Sequence, residues 1–174
     1  YTRRMDFEFE IAAVVGKKGR DLSPKQAASH FAGFTILNDC SARDIQKNEM
    51  VCRMGPAKGK DAATSLGPCV VTTDEIAPLL KDGRLAARCT LTVNGEQWMD
   101  GEGGTMYHDW ASFIVRASRD SRIVPGDVIG SGTVGGGSIG EAMLKGYAGA
   151  RWLQPGDCVA MTVEGIGTLA NTMA

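Results

Sequence analysis

The chain has 174 residues, and 20 Asp and Glu residues nearly balance 19 Lys and Arg residues, which leaves a formal net charge of -1. This balance excludes a protein that binds nucleic acid or an anionic membrane surface through a cationic excess. Hydrophobic residues make up 43% and charged residues 22%, which is typical of a folded rather than a disordered chain. A chain of this length buries roughly 70% of its surface on folding, so we expect a single domain over residues 1–174.

The cysteines and the apolar runs bear on the cellular compartment. The chain has five cysteines, no two of which are spaced as Cys-x-x-Cys, so we expect a reducing cytoplasm rather than a disulfide framework. No apolar run approaches the roughly 20 residues that a membrane helix needs. The chain begins at Tyr1 without an initiator Met, so we expect further residues upstream.

The first predicted element is a strand. Phe7, Phe9 and Ile11 alternate with Glu8 and Glu10 before an apolar run and a Gly-Lys-Lys-Gly turn. This alternation is typical of a strand with one buried face.

A helix and a second strand are predicted next. Ser23 is placed as the N-cap of the helix, Pro24 occupies its first position, and Gln26 is spaced to close a capping box. We expect this helix to end near Gly33. A short apolar strand over 34–39 then ends in a polar cluster.

The rest of the chain predicts short strands and a few helices. Asn94-Gly95 between two extended runs predicts a type I′ hairpin, and two Pro-Gly-Asp turns lead into later strands. Many short strands without regular βαβ units indicate a mostly β or α+β domain. Strands are predicted over 69–72, 85–93, 96–99, 127–129 and 158–163, and helices near 74–80 and over 109–117.

Acidic residues on the first strand suggest a metal site. Side chains alternate along a strand, so Glu8 and Glu10 point the same way with backbones about 7 Å apart, and Asp6 would share their face. Asp39 ends the second strand, and three oxygen ligands without histidine favour Mg²⁺, Mn²⁺ or Ca²⁺ over Zn²⁺. The alternatives are a solvated acidic strand face and a turn-forming Asn38-Asp39 pair.

A glycine-rich segment follows the predicted strand over 127–129. Gly130-Ser131-Gly132-Thr133-Val134-Gly135 has the pattern G-x-G-x-x-G, but the glycines that follow oppose the helix that a dinucleotide motif must open. We favour a loop whose backbone amides and Thr133 hydroxyl hold a substrate carboxylate. The alternative is a glycine-rich turn.

Several segments together resemble the fumarylacetoacetate hydrolase family over nearly the whole chain, most specifically from Asn38 to Gln46. The resemblance implies an α+β, predominantly β fold, described as a mixed β-sandwich roll, in a homodimer. The other segments that carry it are Asp6-Phe7-Glu8-Phe9-Glu10, Lys58-Gly59-Lys60 with Thr64 and Gly67-Pro68, the hairpin over 91–96, and the segment over 126–133.

The resemblance also implies roles for individual residues. The metal ligands become Glu8, Glu10 and Asp39, and the cofactor becomes Mg²⁺, Mn²⁺ or Ca²⁺. Arg43 and Lys60 are assigned to catalysis, with Lys60 offsetting developing negative charge.

The resemblance assigns a third residue to substrate binding, and the residues alone allow other interpretations of Arg43 and Lys60. Gln46 is implied to donate a hydrogen bond to the substrate. From the residues alone, Arg43 would suit an ion pair with Asp44 or Asp39 equally well. Lys60 alone would be a solvated loop lysine, since lysines are mostly exposed.

The implied activity is that of a divalent-metal-dependent enzyme acting on a small anionic β-diketo or 2-oxo acid. The leading reaction is hydrolytic cleavage of a carbon–carbon bond, in which the cation stabilises an enolate. A decarboxylase, hydratase or isomerase would use the same enolate, and a non-enzymatic divalent-ion or carboxylate-binding module is a further alternative. In the family the general base lies on an N-terminal lid segment, which the resemblance puts before Tyr1.

Overall fold

Two four-stranded sheets form the centre of the computed structural model, which describes residues 1–174. Three two-stranded pairs complete the β-structure, and every strand pair is antiparallel. The strands are β1 (Met5–Asp6), β2 (Phe9–Val15), β3 (Gly19–Arg20), β4 (Phe31–Asp39), β5 (Ser41–Ala42), β6 (Thr64–Thr72), β7 (Leu80–Lys81), β8 (Arg84–Leu85), β9 (Arg88–Val93), β10 (Glu96–Glu102), β11 (Arg122–Ile123), β12 (Val128–Gly130), β13 (Cys158–Val163) and β14 (Gly167–Thr172).

Five short helices connect the strands. None of them has the length and apolar character needed to cross a bilayer. Single 3₁₀ turns lie at Ala28–His30, Ala77–Leu79 and Gly103–Thr105. The helices are α1 (Pro24–Ala27), α2 (Arg43–Val51), α3 (Thr73–Ile76), α4 (Trp110–Ser118) and α5 (Ile139–Leu144).

The two large sheets share one hydrophobic core. One sheet has the order β12-β2-β4-β6 and the other β10-β9-β13-β14. Phe9 and Ile36 of the first sheet belong to the same buried cluster as Leu91 and Met161 of the second. This arrangement confirms the expected α+β, predominantly β class and its sandwich architecture.

Core packing on one face of β2 fixes where its one acidic residue, Glu10, points. Phe9 and Ile11 are at most 1% exposed and lie in the core. Because side chains alternate along a strand, Glu10 between them points to the opposite face. Glu10 pairs in register with Leu37 of β4, which brings this acidic face beside the end of that strand.

The hairpin prediction is confirmed by the backbone. Asn94 and Gly95 have φ values of 53° and 83°, the left-handed conformations that a type I′ turn requires at both central positions. β9 and β10 pair on either side of this turn.

The first helix begins as predicted but ends earlier. The Ser23 backbone N–H donates to Gln26 Oε1 at 3.0 Å, as a capping box requires. The helix ends at Ala27 and one 3₁₀ turn follows, so the predicted end near Gly33 is wrong. Gly33 instead pairs with Val14 inside the sheet, where tertiary strand pairing outweighs local helix signals.

The segment between the glycine-rich loop and β13 contains a helix that we did not predict. The Ser138 hydroxyl caps α5 by accepting the Glu141 N–H at 3.2 Å. Ile139 is fully buried, so this short helix is packed against the body of the protein. The first strand is also interrupted, with β1 ending at Asp6 and β2 beginning at Phe9.

Candidate metal centre

Three carboxylates converge on the face of the first sheet that points away from the core. One oxygen from each of Glu8, Glu10 and Asp39 lies within 4.8 Å of the others. The Asp39 N–H at the end of β4 donates to the Glu8 carbonyl at 3.0 Å, just before β2 begins, which sets these two residues side by side. The structure therefore brings together the three predicted ligands.

The Lys60 ammonium lies against this acid cluster. Lys60 Nζ donates to Glu8 Oε2 at 2.5 Å, to Asp39 Oδ2 at 2.7 Å and to Ser41 Oγ at 2.7 Å. Its side chain is only 19% exposed. The alternative of a solvated loop lysine is therefore wrong, and Lys60 is a member of the site.

The Arg43 guanidinium joins the cluster from the first turn of α2. Arg43 Nε donates to Asp6 Oδ2 at 2.8 Å, and Nη1 lies 2.8 Å from Glu8 Oε1. Nη1 also donates to Gln46 Oε1 at 2.9 Å. Arg43 therefore does form ion pairs, but not with the Asp44 or Asp39 that we considered. Asp44 accepts backbone N–H groups instead, among them that of Arg3 at 3.0 Å.

Asp6 anchors Arg43 and is not a member of the acid cluster. Its side chain is 0% exposed and accepts the N–H groups of Ile139 at 2.7 Å and Gly140 at 3.3 Å, at the start of α5. Burial raises the pKa of Asp6 above its usual range, although Arg43 opposes this shift. A carboxylate without these partners would be costly to bury, so Asp6 and Arg43 stabilise each other.

Glu10 is the most enclosed of the three clustered carboxylates. It is 6% exposed, and its Oε2 accepts the Gly132 N–H at 3.0 Å. Burial, assisted by the nearby charges of Asp39 and Glu8, raises the pKa of Glu10 to about 7. Three carboxylates in such proximity repel one another, and a bound cation would relieve this repulsion.

The donor set fits a hard divalent cation. All three donors are carboxylate oxygens, which suit Mg²⁺, Mn²⁺ and Ca²⁺. Oxygens bound to one ion lie at most about 4.2 Å apart for Mg²⁺ and about 5 Å apart for Ca²⁺, so the observed 4.8 Å spread needs little adjustment. When all four carboxyl groups including Asp6 are ionised, they outnumber the cationic Arg43 and Lys60 by two, and one divalent cation would balance this charge.

Gln46 meets the centre through Arg43, whereas Thr133 lines a separate cavity. Gln46 Oε1 is occupied by Arg43, whereas its amide nitrogen donates no hydrogen bond within the chain and is available to a ligand. Thr133 and Gly132 line a cavity of about 250 Å³ together with Thr105 of the third 3₁₀ turn. The Gly132 N–H bond to Glu10 links this cavity to the acid cluster.

The sequence did not single out two residues that complete the site. Ser41 is fully buried and accepts a hydrogen bond from Lys60. Glu49 accepts backbone N–H groups from the loop that carries Lys60. Ser41 lies within the segment from Asn38 to Gln46 that carries the family resemblance, but only its contact with Lys60 shows its part in the site. Glu49 lies outside that segment, and only tertiary contacts distinguish it from an ordinary polar side chain.

Neither histidine lies in the cluster. His30 Nδ1 is 2.9 Å from the Gln26 carbonyl at the end of the first helix. His108 packs edge-on against Tyr107 and Phe113, with ring centroids 4.9 Å and 6.0 Å apart. The described residues of the centre therefore comprise carboxylates, two cationic side chains, hydroxyls and amides.

Comparison with known proteins shows which family this chain belongs to. The family model for the fumarylacetoacetate hydrolase C-terminal domain matches residues 1–174. The chain is 34% identical over 170 residues to oxaloacetate tautomerase YisK of Bacillus subtilis, a match that covers 98% of this chain and 52% of the relative. The chain thus spans about half the length of this curated relative.

Solved structures show the same fold. Fumarylacetoacetate hydrolase from Exiguobacterium antarcticum superposes with a TM-score of 0.81 at 33% identity, covering 99% of this chain and 57% of that one. A 5-carboxymethyl-2-hydroxymuconate delta-isomerase from Mycobacterium smegmatis has a TM-score of 0.79 at 29% identity, covering 99% and 60%. Chains of this architecture thus include proteins described as hydrolases and as isomerases.

Proposed function

Because this chain belongs to the fumarylacetoacetate hydrolase family, we propose that it forms the metal-binding catalytic domain of an enzyme that acts on a small anionic 2-oxo or β-diketo acid. The single observation that carries the proposal is the convergence of Glu8, Glu10 and Asp39 within 4.8 Å beside Lys60. The proposed cofactor is Mg²⁺, with Mn²⁺ or Ca²⁺ as alternatives that the same oxygen ligands accept.

Different side chains of this chain would hold the cation and contact the substrate. Glu8, Glu10 and Asp39 would hold the divalent ion, which when bound supplies Lewis acidity that stabilises a substrate enolate. Lys60 would contact the substrate oxygen that gains negative charge, since its ammonium already lies among oxygen acceptors. Arg43 would add a fixed positive charge beside it.

The residues around this centre would bind the substrate and exclude water. The free amide of Gln46 would donate to a substrate oxygen, and Thr133 would hold the substrate carboxylate in the cavity of about 250 Å³. A cavity of this size suits a small acid, and replacing water there by fixed donors favours charge development in the transition state.

Hydrolytic cleavage of a carbon–carbon bond is the first candidate reaction. Water adds its oxygen to one carbonyl carbon and gives up a proton, and the bond to the neighbouring carbon breaks. The acyl fragment is released as a carboxylic acid and the other fragment as an enolate, whose carbon takes up a proton. The likeness to fumarylacetoacetate hydrolase from Exiguobacterium antarcticum supports this reaction.

Keto–enol tautomerisation is the second candidate. It is supported by the 34% identity over 170 residues to an oxaloacetate tautomerase of Bacillus subtilis. Tautomerisation requires only an enolate and a group that moves a proton, whereas hydrolysis also requires the activation of a water molecule.

The family and the composition also suggest partners and a cellular location for this chain. We expect a homodimer, a small anionic oxo acid as substrate, and no nucleic-acid or membrane partner. The odd number of cysteines, all five of which are unpaired, supports a reducing cytoplasm.

The test compares the two reactions in the full-length protein. An acylpyruvate and oxaloacetate are each supplied with Mg²⁺ or Mn²⁺, and cleavage and enol loss are followed by ultraviolet absorbance. We expect metal-dependent turnover that Glu10→Gln abolishes and that Glu75→Gln, on an exposed glutamate outside the site, leaves unchanged. Metal binding without turnover of either acid would favour a non-enzymatic ion-binding module instead.

A further inference from the structure

The loop that carries Lys60 is held by one side chain of α2. Glu49 Oε2 accepts the N–H groups of Ala57 and Gly59, both at 3.0 Å, and Oε1 accepts the Lys58 N–H at 2.6 Å. Three successive backbone N–H groups thus converge on one carboxylate, an arrangement that suits an anion. The residue that follows this anchored turn is Lys60.

The peptide group that joins Gly59 to Lys60 is held at both its carbonyl and its N–H. The Gly59 carbonyl accepts the Ala42 N–H at 2.7 Å, and the Lys60 N–H donates to the Ala57 carbonyl at 2.9 Å. A Cβ at Gly59 would come within 2.8 Å of Gln46 Cβ, so only glycine allows the loop to lie this close to α2. The starting point of the Lys60 side chain is therefore set by α2.

The same helix supports both cationic residues of the centre. Arg43, Gln46 and Glu49 are spaced three apart along α2, so they lie near one face of the helix. Arg43 contacts Glu8 directly, Gln46 supports Gly59, and Glu49 holds the loop. The helix therefore couples the loop position to the acid cluster.

We propose that Glu49 is a positioning residue, which fixes the backbone over 57–59 so that the Lys60 ammonium reaches Glu8 and Asp39. This proposal rests on the proposed function for the part that Lys60 plays in turnover. Glu49 itself contacts neither the acid cluster nor the cavity, so it acts through Lys60.

The first experiment needs neither metal nor turnover. The ¹⁵N-labelled full-length protein is observed by NMR for lysine ammonium groups, and the Lys60 signal is identified by its loss in Lys60→Met. We expect a resolved Lys60 signal in the wild type, because three hydrogen bonds slow its exchange with water. Glu49→Gln offers fewer acceptor positions to the three N–H groups and should broaden this signal beyond detection.

The matched control is Lys58→Met, which removes an exposed ammonium from the same loop and leaves the backbone bonds in place. It should leave the Lys60 signal unchanged. Circular dichroism checks that each variant is folded. A Lys60 signal that persists in folded Glu49→Gln and Glu49→Ala would overturn the proposal.

The second experiment is a double-mutant cycle on kcat with the substrate that the full-length enzyme turns over. Glu49→Gln should lower kcat about tenfold, as expected for lost hydrogen bonds to a charged group, and should have no further effect in the Lys60→Met background. An equal loss in both backgrounds would mean a general structural role and would contradict the proposal. If no substrate is turned over, the proposed function fails, and the NMR result alone decides the role of Glu49.

Discussion

Arg43 Nη1 lies 2.8 Å from Glu8 Oε1, so a fixed guanidinium already engages one oxygen of a proposed metal ligand. The other oxygen, Oε2, is contacted by Lys60 at 2.5 Å. A divalent cation can therefore reach Glu8 mainly through Oε2, where it competes with an ammonium group. Because Arg43 is held in turn by buried Asp6, the position of this ligand depends on a residue outside the acid cluster.

Replacing Arg43 should destabilise the fold as well as the site. Arg43→Met leaves the fully buried Asp6 carboxylate without its ion partner, and breaking a buried pair in this way costs about 3 kcal/mol or more. We expect the free energy of unfolding, measured by urea denaturation, to fall by about this amount.

The control for this variant is an exposed pair of the same type. Arg88 forms a bidentate contact with Asp100 on the surface, with Arg88 65% exposed. Arg88→Met should change stability far less, since solvent screens exposed pairs. Equal losses for the two variants would show that burial of Asp6 is not the cause.

Adding one methyl group at Gly130 should displace Glu10. A Cβ there would lie 2.3 Å from Glu10 Oε2 and 2.8 Å from Leu37 Cδ2. Gly130→Ala should therefore weaken Mn²⁺ binding about tenfold, or about 1.4 kcal/mol, while the chain stays folded. Isothermal titration measures the affinity. Gly135→Ala is the matched control, because nothing lies within 4 Å of a Cβ at that position.

A divalent cation should raise the melting temperature through the acid cluster. A ligand at 100 times its Kd adds about 2.7 kcal/mol to the stability of the folded state. Glu8→Gln with Glu10→Gln should abolish the rise in melting temperature on addition of Mg²⁺ or Mn²⁺, measured by scanning calorimetry. Glu75→Gln, which removes an exposed carboxylate elsewhere, should keep the full rise. An undiminished rise in the double variant would reject these ligands.

Stability at low pH should depend on Asp157. Its buried carboxylate accepts two hydrogen bonds from Arg151, one from Asn94 and one from the Gln154 N–H. Pairing with Arg151, aided by these other bonds, holds the pKa of Asp157 well below its usual range. A lowered pKa means that this stabilisation is present above the unfolded pKa of about 4 and is lost as the pH falls below it.

The variant Asp157→Asn tests the sign of this dependence. Near neutral pH it should be less stable than the wild type by about 2 kcal/mol, and the difference should shrink as the pH drops from about 4 towards 2. Denaturation curves at a series of pH values measure both free energies. A difference that stays constant over this range would show that the charge of Asp157 is not responsible.

Much of the fold could be predicted from local patterns. The Asn94-Gly95 hairpin, the capping box at Ser23 and the alternation around Phe9 were confirmed, because each depends on neighbours in sequence. The end of the first helix was wrong, since Gly33 is committed to sheet pairing with a distant strand. Capping signals mark where a helix starts, but long-range pairing decided where this one stops.

The candidate site, like the fold, could be predicted from the sequence only in part. Alternation put Glu8 and Glu10 on one face, and the end of the second strand suggested Asp39, and these three do converge. The face that Asp6 occupies could not be predicted, because the strand is interrupted between β1 and β2 and Asp6 turns towards α5. Sequence spacing assumes a regular strand, and this strand is not regular.

The sequence by itself determined which residue types are present and which local elements they favour: an acidic strand face, a hairpin and a near-neutral composition. Only the tertiary structure decided which charges meet. Lys60 lies 52 residues from Glu8 along the chain, and Arg43 lies 37 residues from Asp6, yet both pairs are in direct contact. Such contacts depend on how sheets, α2 and the anchored loop pack together, and packing is a property of the whole fold rather than of any local pattern.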